Sequence, residues 1–241
     1  MRTGFVAVAW LILTASASVA AADAPPVSFG VELGVVSREV EEELPTGTTR
    51  GVVDSTRLVS RLGLQVAPVL LLFGEVGFAD VAIEEFDDYR SDLHILYGGG
   101  ARVILYDGAY PDRFMIYSDV KITRLQTDDR VTICTANCND PVLLPTEAVT
   151  DEEIDWTEYA VSLGIRGGQE GFRPFGGVRY SRLDGTDHIQ GEGTFDLRER
   201  TSLGFFLGAD IFLDREERNA IMIQISGLDE NAFRVGYKVS F

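Results

Sequence analysis

The chain has 241 residues, 45% of them hydrophobic, with 38 Asp and Glu against 21 Lys and Arg and a formal net charge of −17. That apolar and aromatic content excludes a disordered chain, and the acid excess excludes a nucleic-acid binder, which needs a basic face for the phosphates. Two cysteines are too few for a disulfide-built miniprotein.

The N-terminus has the pattern of a secretory signal. Arg2 precedes an apolar run from Phe5 to Leu13 that is too short to span a bilayer, and small residues follow from Ser16 to Ala24. The expectation is a cleaved signal peptide over 1–22 and one exported domain over 23–241. No later stretch approaches the ~18 consecutive apolar residues of a transmembrane helix; the longest, 66–73, is interrupted by Pro68. The exported chain is therefore either a soluble β-protein or a membrane β-barrel.

Period-two alternation predicts ten strands, near 27–37, 56–66, 70–80, 93–105, 113–124, 156–166, 172–182, 197–212, 220–228 and 232–241. At the last of these, Phe233, Val235, Tyr237, Val239 and Phe241 alternate with Arg234, Gly236, Lys238 and Ser240. Short connections at 67–69, 107–112, 167–171 and 213–219 alternate with long polar ones at 38–55, 81–92, 125–155 and 183–196, and with the tight Asp229-Glu230-Asn231. The polar set of each strand is charged but rich in glycine (Gly98, Gly100, Gly164, Gly204, Gly208, Gly236), which suits a narrow lumen. Phe29, Tyr106, Tyr110, Phe114, Phe172, Phe212 and Phe241 gather at the short-turn ends, as an interfacial girdle does. The fold class is all-β: an antiparallel, transmembrane, up-and-down β-barrel of ten strands, with eight the alternative. Both termini lie on the short-turn, periplasmic side.

The terminal FRVGYKVSF (Phe233, Val235, Tyr237, Val239 and Phe241 its alternate apolar residues) resembles the C-terminal strand signature of bacterial outer-membrane barrels. In that class the insertion machinery recognises the signature. LFGEVGFAD (72–80), YGGGARVILY (97–106) and PFGGVRYSRL (174–183) resemble strands of the small OmpA, OmpX and opacity-protein barrels. Those usually have eight strands, where this chain reads as ten. The resemblance implies residence in the bacterial outer membrane, with lipid and lipopolysaccharide as surroundings.

Parity places Glu32, Glu75, Asp119, Glu158 and Asp210 in the lumen with Arg57, Arg61, Arg102, Lys121, Arg166 and Arg179. The same phase adds Arg198, Arg200, Arg234 and Lys238, while Arg182 and Glu199 fall on the outward phase. Confined charges must pair or stay wet, which gives two readings: an ion-paired plug that fixes the barrel, or a narrow anion-preferring passage. The acid excess falls in the long connections, in Glu39, Glu41, Glu42 and Glu43, in Asp80 to Asp92, and in Asp151 to Asp155. These make a solvated face, or one sharing divalent cations with lipid phosphates. Cys134 and Cys138 are expected to form a local disulfide in the longest connection. His94, Asp187 and His188 are the acid–base candidates. Some outer-membrane barrels are enzymes, among them the ten-stranded omptin proteases, but adjacent Asp187 and His188 point to opposite sides of an extended chain. The expected function is structural or interactive, through acidic extracellular loops, with no cofactor and no catalysis; a narrow anion channel is the alternative.

Overall fold

The computed structural model describes residues 27–44, 47–84, 89–108, 114–136, 146–190 and 193–241. The signal segment, Tyr110 and Cys138 lie outside the described residues, as does the side chain of Cys134, whose backbone pairs with Glu147.

Eleven strands form one sheet: β1 (Val27–Leu44), β2 (Gly47–Ala67), β3 (Leu70–Glu84), β4 (Tyr89–Asp107), β5 (Met115–Ala136), β6 (Thr146–Arg166), β7 (Phe172–Ile189), β8 (Gly193–Glu199), β9 (Leu203–Phe212), β10 (Asn219–Gly227) and β11 (Asn231–Ser240). Every neighbouring pair is antiparallel, and β11 pairs with β1 from Ser28↔Ser240 to Ser37↔Asn231, so the sheet closes on itself. Closure leaves no strand edge to be satisfied by water, the condition for crossing hydrocarbon.

The barrel has two diameters. Near the termini the ring is β1 to β7, β9, β10 and β11, the expected ten strands. The predicted strand 197–212 is broken at 200–202. Its second half, β9, runs beside β7 from Phe172↔Ile211 to Tyr180↔Leu203, while β8 sits farther out between β7 and β1. There Val40↔Glu199 to Glu43↔Asp196 close a ring of eight strands, β1 to β8, above the short β10–β11 hairpin.

The long connections 38–55, 81–92, 125–155 and 183–196 are largely not loops, which corrects the sequence reading: β1 continues to Leu44, β5 to Ala136 and β7 to Ile189. Alternation persists through them with its chemistry reversed. On β1 the outward residues change from exposed Leu33 and Val35 to Ser37, Glu39 and Glu43, while Val36 and Val40 join Arg38 and Glu42 on the buried inward face. On β6 the outward set changes from Glu153, Asp155 and Thr157 to Tyr159, Val161, Leu163 and Ile165. Apolar faces meet lipid where the lumen is charged, and charged faces lie outside where the lumen is largely apolar.

That apolar interior is a core in the ordinary sense. Val40, Ile83, Leu96, Leu125, Ile154 and Leu183 are each at most 2% exposed and pack in one cluster with Trp156 and Leu197. Each contributes on the order of 1.5–3 kcal/mol by leaving water. Phe29, Tyr106, Phe114, Phe172 and Phe241 are exposed near the termini, whereas Phe212, placed in the girdle by sequence, lies beneath the Arg173 guanidinium at 4.9 Å.

Candidate functional site

Beneath the apolar core the lumen is lined by ion pairs in two groups. The outer group centres on Arg38, only 5% exposed, which lies 2.7 Å from Glu230, 3.5 Å from Glu199 and 3.7 Å from Glu158. Arg57 donates two hydrogen bonds to Glu158, at 3.1 and 2.7 Å. Glu230 also receives Arg179 at 2.8 Å and Arg234, and Arg234 reaches Glu32 at 3.5 Å. Asp229 accepts from Arg179 Nε at 2.6 Å and from the Ser181 hydroxyl at 3.0 Å. Asp229 and Glu230 belong to the β10–β11 turn, which stops beneath β8 and sends both carboxylates inward. Each is 2% exposed, and Leu228 beside them adopts a positive φ of 80°.

The second group lies toward the termini. Arg61 and Lys121 share Glu75, with Lys121 at 2.9 Å. Arg102 grips Asp119 through two hydrogen bonds of 2.7 Å each, and Arg166 pairs with Asp210.

A local device recurs three times around this wall: an arginine over an aromatic ring that itself lies over a glycine. Arg61 stands 4.8 Å from the Phe73 ring, Arg102 4.3 Å from Tyr117 and Arg166 5.6 Å from Phe175. The strand partners of those rings are Gly100, Gly164 and Gly208, where an added Cβ would stand 2.5 or 2.6 Å from a ring atom. The glycines let bulky rings lie flat along the wall, and the rings hold the guanidinia toward the lumen.

Glu32, Arg57, Arg61, Glu75, Arg102, Asp119, Lys121, Glu158, Arg166, Arg179 and Asp210 thus all take part in lumen ion pairs. Arg198 and Arg200 do not. They face outward above the membrane, pairing with Glu43 at 2.6 Å and with Glu39, while Glu199 turns inward with a fully buried side chain. The break at 200–202 shifts the parity between β8 and β9 and reverses all three assignments. Arg38 lies in a segment whose charge has the look of a loop, and Asp229 and Glu230 lie in a tight turn, so the sequence pattern does not mark them as lumen residues. With Glu199, Asp229 and Glu230 inside and Arg198 and Arg200 outside, most of the apparent positive excess of the lumen disappears.

The acid–base candidates do not assemble. Asp187 is buried inside the barrel, His188 is exposed with Nδ1 2.9 Å from the Thr194 hydroxyl, and His94 on β4 lies 3.4 Å from Asp128. In the ring, β5 and β6 separate β4 from β7. On β11, Phe233, Val235, Tyr237 and Phe241 are exposed on the outward face, and the strand is paired on both sides.

A charged lumen under an apolar core, ringed by an exposed apolar belt, defines a membrane-spanning β-barrel. The crystal structure of the outer membrane protease OmpT from Escherichia coli is similar, with a TM-score of 0.57 at 8% identity, over 93% of this chain and 99% of that one. The translocator domain of the autotransporter NalP from Neisseria meningitidis gives a TM-score of 0.49 at 10% identity, over 91% of this chain and 90% of that one. No family model and no curated protein matches the sequence. At such identities the likeness is one of fold, and the fold is that of an outer-membrane β-barrel.

Proposed function

We propose that the protein is a non-conducting barrel of the outer membrane, with a structural and interactive role carried by its acidic outer section. The observation that carries this reading is the apolar core of the eight-stranded ring, where Val40, Ile83, Leu96, Leu125, Ile154 and Leu183 pack in one cluster above the ion pairs. The signal segment 1–22 and the C-terminal strand supply the export route and the contact with the insertion machinery, and the termini face the periplasm. Exposed Glu39, Glu43, Glu153 and Asp196 present negative charge to the exterior, and Arg182, 60% exposed beyond the lipid-facing Tyr180, is placed to meet lipopolysaccharide phosphate. The reading is non-enzymatic, because Asp187 and His188 face opposite sides of the wall.

Single-channel recording of the refolded protein in a planar bilayer tests the closed bore. A folded, silent barrel supports it, and discrete current steps overturn it in favour of the anion passage. The interactive role is read from polylysine binding to reconstituted vesicles, which should weaken when Glu39, Glu43 and Glu153 are exchanged for glutamine.

A further inference from the structure

The half of the lumen nearest the termini holds more positive charge than its acids match. Arg61, Arg102, Lys121, Arg166, Arg173 and Lys238 stand there against Glu75, Asp119, Asp210 and Glu217. Each arginine, and Lys121, has a carboxylate partner; Lys238 makes no ion pair among the described residues. The register sets Lys238 opposite Gly30, and Gly30 opposite Arg61, so two bases flank a position with no side chain. Arg166, Arg102, Asp210 and Arg61 face the same cavity as Lys238. Asp210 is the one acid among them, and it is already committed to Arg166. Arg166 Nε is itself buried without a hydrogen-bond partner.

Arg61, Arg102, Lys121, Arg166 and Lys238 line a cavity of about 230 Å³ with Tyr117 and Phe175, and it continues outward to Arg38, Glu158 and Glu230. That is room for a small anion and several waters at roughly 30 Å³ each. Like charges facing one cavity repel, and a counter-ion that enters it offsets the repulsion. The aromatic props under Arg61, Arg102 and Arg166 hold the guanidinia in place beforehand, so little side-chain freedom is lost on binding.

We propose that this half of the lumen is a blind, anion-binding cup, open toward the termini, that takes a small oxyanion of the phosphate class. Lys238 and Arg61 grip it from one wall and the Arg166 guanidinium faces it from the other. The cup rests on the closed bore only for being blind; its charge is independent of what lies above.

Calorimetric titration of the refolded protein with inorganic phosphate, in zwitterionic detergent at low salt, tests the assignment. The expected result is saturable binding that weakens with added salt. Lys238→Met should weaken it about tenfold, the size of one charge-assisted contact, and Lys238→Arg should retain it. Broadening of the phosphorus NMR line of phosphate by the wild-type protein reads binding without any variant. No heat and no broadening at millimolar phosphate overturn the cup, as does equal binding by Lys238→Met. A conducting barrel that still binds phosphate overturns the closed bore alone, and a silent one that does not bind overturns the cup alone.

Discussion

Asp229 lies directly over Gly204: a Cβ built at position 204 would stand 1.7 Å from Asp229 Oδ1. The absence of a side chain on β9 is what lets the β10–β11 turn fold its carboxylate into the wall, within reach of Arg179 and Ser181. Gly204→Ala should push that carboxylate out and cost about 1–3 kcal/mol from overpacking and lost buried hydrogen bonds. The urea midpoint of the refolded barrel reads this, and an unshifted midpoint would mean that the turn is held by something else.

Arg38 is bound on three sides by Glu158, Glu199 and Glu230. Arg38→Met strands buried carboxylates and should destabilise by about 3–5 kcal/mol, whereas adding Glu230→Gln should recover part of the loss. A double-mutant cycle in denaturant measures the coupling, and strictly additive effects would contradict the contact.

Leu183 and Ile154 sit in the seal at 2% and 0% exposure. Alanine at either position should cost about 2–5 kcal/mol. Serine at both Leu125 and Leu183 should wet the seal and raise the barrel's conductance in a planar bilayer. Continued silence would place the barrier in the ion pairs beneath.

Asp214, in the turn between β9 and β10, accepts the backbone N–H of Asn219 at 2.9 Å and its side-chain amide at 3.1 Å. The backbone hydrogen bond in particular holds its carboxyl below the ordinary aspartate range. A carboxyl lowered on folding contributes stability that is complete above its unfolded pKa and is lost as pH falls through the folded value. The stability gap between wild type and Asp214→Asn should therefore shrink on acidification. A gap independent of pH would remove the carboxylate from the account.

The lipid-facing half of the barrel was legible because lipid imposes one chemistry on one face: Phe233, Val235 and Tyr237 admit a single parity. The water-facing half was hidden, since Glu39 to Glu43 look like a solvated loop to anyone weighing charge alone. The signal was Val36 and Val40, which continue the inward phase of Glu32. The break after Glu199 carries neither glycine nor proline, so two parities of 197–212 read equally well. Asp229 and Glu230 are acids in a tight turn, which ordinarily face water. Their burial depends on Arg38 and Arg179, from β1 and β7, as well as on nearby Arg234, and no local pattern records the two distant partners.

The two ring sizes also mean that the wall is fastened twice along β1. The outer fastening, Val40↔Glu199 to Glu43↔Asp196, uses only strands that precede Arg200 in the chain, and the inner one uses the last ten residues or so. Peeling away β10 and β11 would leave a cylinder still hooped at its outer end and slit along its side between β9 and β1. The last hairpin is in effect a shutter set into the wall of a hoop that is already complete, latched from within by Arg38 and Arg179.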